Sequence, residues 1–88
     1  MNWTIRLESL ALKDLKKLDK PARIRIERFL DELASGENPR SKGIALQGEQ
    51  FKGLWRYRVG DYRLICQIRD KEVVILVLEI GHRKEVYR

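Results

Sequence analysis

The stretch Trp55-Arg56-Tyr57-Arg58-Val59-Gly60-Asp61-Tyr62-Arg63-Leu64-Ile65-Cys66-Gln67-Ile68 decides the fold. Apolar and polar residues alternate in it with period two, the pattern of two half-buried strands. Gly60-Asp61 interrupts the alternation and fits a two-residue hairpin turn of type II′, with glycine first. That turn pairs Val59 with Tyr62 and sets Arg58 directly opposite Arg63. Facing side chains lie roughly 5 Å apart at Cβ, where like charges are destabilising. Arg56 follows on the same face. Three cations on one sheet face predict a bound anion.

The same alternation assigns the two faces. Trp55, Tyr57, Val59, Tyr62, Leu64, Cys66 and Ile68 share one side and form the expected core face. Leu54, Arg56, Arg58, Arg63, Ile65 and Gln67 share the other. A slip of one residue would send the arginines into the core, so the apolar pattern fixes which face they take.

Outward from the hairpin, Trp3 to Leu7 alternates and predicts a first strand. Ser9 is the expected N-cap of a helix running to about Leu18, with Ala11, Leu15 and Leu18 along its apolar stripe. Lys13, Lys16, Lys17 and Lys20 lie mostly off that stripe and read as a solvated face. Pro21 opens a second helix that runs to about Ser35 on Ala22, Ile26, Phe29, Leu30 and Leu33, and Gly36 stops it. Residues 37–50 have no clear period and read as a long loop with Leu46 as an anchor into the core; loops of this length in small domains are often functional. Gly43 and Gly53 read as turn residues. Strands are expected over about 52–59, 62–69 and 72–80. The last carries Val73-Val74-Ile75-Leu76-Val77-Leu78, apolar on both faces, and is expected at the centre of the sheet. The order β-α-α-β-β-β predicts an α+β fold over residues 1–88, a single domain: an antiparallel sheet with an αα-hairpin packed on one face.

Composition narrows the function. Eighty-eight residues leave room for one thin core. The 43% hydrophobic content argues against disorder. Net charge is +6 with a pI near 9.8, which favours polyanionic partners. Residues 51–88 carry nine Lys/Arg against five Asp/Glu, while residues 1–50 carry ten against eight. The excess therefore concentrates on the predicted strands and is rich in arginine, the side chain suited to forked phosphate contacts. The apolar run of residues 73–78 is too short to cross a bilayer, and the N-terminus lacks a signal-peptide layout. A lone Cys66 fits a reducing cytoplasm and reads as a small buried hydrophobe. One Cys and one His cannot supply a zinc site, so neither metal nor cofactor is expected. No glycine-rich phosphate loop or nucleophile elbow is present.

What remains is the arginine face and a tail bearing His82, Arg83 and Tyr87. Those groups suit phosphodiester transfer. Fixed guanidinium charges stabilise the phosphorane oxygens, and RNA brings its own nucleophile in the 2′-hydroxyl. The protein then needs a base near that hydroxyl and an acid near the 5′-oxygen. A tyrosine is a poor base unless neighbouring cations lower its pKa. Such a site needs a large partner to orient the RNA.

The runs Leu46-Gln47-Gly48, Gly53-Leu54-Trp55-Arg56-Tyr57-Arg58-Val59-Gly60-Asp61-Tyr62-Arg63-Leu64 and Ile80-Gly81-His82-Arg83-Lys84-Glu85-Val86-Tyr87 resemble the RelE/ParE toxin superfamily of bacterial toxin–antitoxin modules. The helix Ala11 to Leu18 is similar too. The resemblance covers essentially the whole chain and is strongest to the RelE branch, whose members cut mRNA in the ribosomal A site through 2′-hydroxyl attack. It implies a RelE-like microbial RNase fold. It also implies Tyr87 as general base, Arg83 as acid, and Arg63 as the transition-state clamp. Arg56 and Arg58 would hold phosphates and depress the tyrosine pKa. His82 would add a phosphate contact and is the second choice for the acid.

The implied partners are mRNA and rRNA on the ribosome and an acidic RelB-like antitoxin, through which the complex would reach operator DNA. No membrane partner is implied. The alternative is the ParE branch, whose members poison DNA gyrase without cutting RNA.

Overall fold

The computed structural model describes residues 2–82. It consists of β1 (Thr4–Leu7), α1 (Ser9–Lys17), α2 (Lys20–Ser35), a 3-10 turn at Pro39–Lys42, β2 (Ile44–Ala45), a second 3-10 turn at Glu49–Phe51, β3 (Leu54–Val59), β4 (Tyr62–Arg69) and β5 (Val74–His82). The strands form one sheet in the order β1-β5-β4-β3-β2. Both helices lie on one of its faces. The expected α+β architecture is observed.

The core forms where the helix stripes meet the predicted strand face. Ala11 and Leu15 of α1 and Ile26, Leu30 and Leu33 of α2 pack with Tyr57, Val59, Leu64, Cys66, Ile75, Val77 and Ile80. Full burial of each large apolar side chain contributes roughly 1.5–3 kcal/mol. Trp55 and Tyr62 pack against this cluster, half-buried.

Several local expectations need correction. The β1–β5 pair is parallel, with Ile5 beside Ile75, while the other pairings are antiparallel. Parallel neighbours require a long connection, and the helical pair with the meander behind it provides one. Consequently β5 is an interior strand, and β4 holds the centre. Ser9 is the first residue of α1 instead of its cap; Glu8 takes the cap position with no side-chain hydrogen bond. In α2 the cap is Asp19, whose Oδ1 accepts from the Ala22 N–H at 3.0 Å. Gly36 does end α2, but at φ −76 it uses no left-handed backbone.

The supposed loop is tied to the sheet. Ile44 and Ala45 pair with Arg56 and Trp55 as a short edge strand. Pro39 is buried in place of Leu46, which is only half-buried. Gly43 serves close packing and not a turn: a Cβ there would sit 2.8 Å from the Tyr57 ring.

A bulge lies in β5. Cys66 stands opposite Val77, yet Ile65 stands opposite Glu79, so Leu78 is the extra residue. Without it, strict alternation after Val77 would turn Glu79 into the core. With it, Ile80 turns inward and Gly81 stands opposite Arg63.

Candidate functional site

The hairpin is built as its sequence requires. Gly60 has φ +59, and Asp61 has no positive φ, the type II′ arrangement. Val59 pairs with Tyr62, and Arg58 with Arg63. Arg56 pairs with Ile65 on the same face. The three arginines differ in exposure: Arg58 is exposed, Arg56 half-buried and Arg63 only 5% exposed. Arg63 Nη1 donates to the Tyr62 carbonyl at 3.3 Å. Burying a guanidinium is costly, and a head sunk this far is held in one direction. Across the strand from it, Gly81 contributes no side chain. A guanidinium held at this depth has the chemistry of a preorganised donor to an oxyanion. The surrounding face is partly apolar, with Ile65, Leu76 and Val74 buried on it.

His82 does not join these arginines. It pairs with Tyr62, on the helix side of the sheet, and its ring meets the Tyr62 ring edge-on at 5.7 Å between centroids. Together they line a cleft with Asp14, Lys17 and Leu18 of the α1 end. Asp14 has its own task, which sequence reasoning missed. β1 ends opposite Val77, leaving the Ile80 N–H beyond it, and Asp14 Oδ2 accepts that N–H at 3.1 Å. The only sequence signal was an acid among the lysines of α1. Arg83 and Tyr87, expected to complete the set, lie outside the described residues. The structure therefore brings together Arg56, Arg58 and Arg63 and separates His82 from them.

The far end of the ladder holds a second group of polar residues. Arg40 grips Asp70 through two bonds of 2.9 and 2.7 Å, and its guanidinium lies 5.8 Å from the Trp55 ring centroid. That hydrogen-bonded fork holds the Asp70 carboxyl below the usual carboxylate range and raises the Arg40 pKa. The Tyr57 hydroxyl donates to the Pro39 carbonyl at 2.6 Å. Burial pushes the Tyr57 pKa upward, so this phenol stays neutral. Cys66 is also buried, and desolvation raises its thiol to about 12; it is no nucleophile at neutral pH. Among the described residues no cluster of His, Cys, Asp and Glu could hold a metal ion. No helix of the described chain is long and apolar enough to cross a membrane.

This fold has known counterparts. The family model for the ParE toxin of type II toxin–antitoxin systems (parDE) matches residues 5–87. The chain belongs to this toxin family. Among curated relatives, toxin RelG of Mycobacterium tuberculosis is 33% identical over 91 aligned residues, covering 100% of this chain and 99% of RelG. The mRNA interferase toxin RelE of Escherichia coli is 32% identical, covering 99% of this chain and 92% of its own. Among solved structures, the toxin–antitoxin complex RelBE2 of Mycobacterium tuberculosis superimposes with a TM-score of 0.84 at 28% identity, over 97% of this chain and 95% of that one. The toxin is thus a type II toxin of the RelE kind, with two helices on a five-stranded sheet.

Proposed function

We propose that this toxin is a metal-independent endoribonuclease that cuts mRNA in the ribosomal A site and so stops translation. The observation that carries the reading is the facing pair Arg58–Arg63, with Arg63 held almost fully buried on the face that also bears Arg56. The name of the 32% identical relative, an mRNA interferase, supports it.

In the reaction the 2′-hydroxyl loses its proton to a base, and its oxygen bonds to the adjacent phosphorus. The P–O5′ bond then breaks, and the departing 5′-oxygen takes up a proton. The products are a 2′,3′-cyclic phosphate and a 5′-hydroxyl. Arg63 clamps the phosphorane oxygens, while Arg56 and Arg58 hold flanking phosphates. Tyr87 is assigned as the base and Arg83 as the acid. His82, across the sheet from the arginines, is an alternative acid or phosphate contact only for RNA that wraps the end of β5. The ribosome supplies the orientation that a site this small lacks.

A basic chain of net charge +6 suits an acidic partner. The RelBE2 structure is a toxin–antitoxin complex, and we assign this toxin a RelB-like antitoxin that reaches operator DNA on its behalf.

The test is cleavage of message on programmed ribosomes, with and without EDTA. Site-specific cuts ending in cyclic phosphate are expected in both conditions. Intact message with wild-type toxin, or full activity in Arg63→Ala combined with Tyr87→Phe, would overturn the reading. The ParE description of the matching family favours a second one, inhibition of DNA gyrase. Loss of supercoiling activity in purified gyrase with added toxin is its signature.

A further inference from the structure

Beside the arginine face, at the tip of the same hairpin, the helix side has its own basic cleft. Gly60 lacks a side chain, and the space a Cβ would fill lies 2.9 Å from Arg25 Nη1 and 3.1 Å from Arg25 Cζ. The Arg25 guanidinium is therefore laid flat against the turn. It forms a wall common to two clefts between α2 and the hairpin.

Their charges differ. The smaller, about 280 Å³, carries Asp19 and Asp61 against Arg25. The larger, about 510 Å³, carries Arg25 and Arg28 against Glu32 alone. Among the described residues neither Arg25 nor Arg28 is held in a hydrogen bond or ion pair. Only the larger cleft suits an anion. Ile24, Phe29 and Val59 give it apolar walls, so it offers stacking and van der Waals surface beside two guanidinium groups. That combination fits a nucleotide, with its base stacked on the Arg25 plane beside the apolar walls and its phosphate on the arginines.

Its position is equally telling. Val59 lines the cleft, Arg58 precedes it, and Arg58 is two residues from Gly60. At an extended rise of about 3.3 Å per residue, those Cα positions are at most roughly 7 Å apart. A strand of RNA leaving Arg58 can therefore reach the cleft by passing round the hairpin tip.

We infer that the cleft formed by Arg25, Arg28, Ile24, Phe29 and Val59 is a subsite for a nucleotide flanking the one held on the arginine face. This deepens the ribonuclease reading and rests on RNA being the toxin's ligand. An acidic peptide would satisfy the two charges but would leave the stacking surface unused.

The test is equilibrium binding of a 12-nucleotide single-stranded RNA, and of a poly-glutamate peptide of equal charge, across a salt series. The proteins are wild type, the double variant Arg25→Gln/Arg28→Gln and the charge-keeping Arg25→Lys/Arg28→Lys, each verified as folded by thermal melting. Loss of the one phosphate held by both arginines should lower the slope of log K against log salt by about 0.7, the single-strand value per phosphate. The lysine variant should keep the slope. An unchanged slope in the glutamine variant would overturn the inference, and so would an equal loss of poly-glutamate binding. If the glutamine variant does not fold, the lysine variant decides: RNA affinity equal to wild type at every salt means no stacking on the Arg25 plane and rejects the subsite. Binding is read without ribosomes, so these outcomes are independent of whether the wild-type toxin cuts message.

Discussion

At the open end of the β3–β4 ladder, Arg40 is matched by Asp70, covered by Trp55 and neighboured by the buried Tyr57–Pro39 hydrogen bond. At the turn end, Arg58 and Arg63 face each other with Arg56 alongside, and Arg63 is buried. The same residue type serves opposite ends. Where a carboxylate is supplied within the chain, the arginine fastens the 3-10 turn to the sheet. Where cations are gathered face to face, their shared sign suits the face to a polyanion, as proposed above. One end is fastened by bonds within the chain, and the other gathers charge on the face proposed to bind RNA.

Substitutions can test that division. The largest effect should come from Arg63→Ala, with message cleavage on ribosomes falling about 100-fold or more, the usual cost of one preorganised charge donor. A variant that keeps wild-type cleavage would end the division outright. Next is Tyr57→Phe, which leaves the Pro39 carbonyl without its donor. It should cost about 1–2 kcal/mol in denaturant unfolding while the cleavage rate on ribosomes stays unchanged.

Arg58→Gln should move the two properties in opposite directions. Relief of the facing charges raises stability by about 0.5 kcal/mol, and cleavage at fixed toxin concentration falls. Loss of both together would mean that Arg58 is a structural residue.

The smallest effect concerns acid stability. The Arg40 fork lowers the Asp70 pKa, so the pair stabilises fully above the ordinary carboxylate pKa of about 4 and is lost as pH falls through the lowered folded value. Asp70→Asn should remove that part of the acid-side slope in melting temperature. The pair is solvent-exposed, so the shift at neutral pH should be no more than a few degrees. A melting curve with unaltered pH dependence would place the anchor elsewhere, on Tyr57 and Trp55.

Much of this was legible locally. Alternation from Trp55 to Ile68 decided which side chains face the helices, and the glycine-first turn decided that Arg58 meets Arg63. Helix stripes at Ala11–Leu15 and Ile26–Leu30–Leu33 followed from a 3.6-residue period. Less legible were contacts between elements far apart in the chain. Arg40 and Asp70 are thirty residues apart, Asp14 and Ile80 sixty-six, and neither pair leaves a periodic trace. Val73, a β-branched residue at φ +57, was equally hidden. Its N–H bonds the Asp70 carbonyl, and its own carbonyl accepts from Thr4, so tertiary bonds hold a backbone that valine disfavours.

The sequence by itself determined the arginine face, because side-chain parity along a hairpin is local and its turn sets the register. Only the tertiary structure decided what stands beside that face. The bulge at Leu78 exists because Ile80 gains more from the core than Glu79 could, and it brings Gly81 opposite Arg63 while turning His82 to Tyr62. Packing of α2 over the hairpin tip laid Arg25 on Gly60. Both outcomes depend on which element covers which, and no short window of sequence contains that choice.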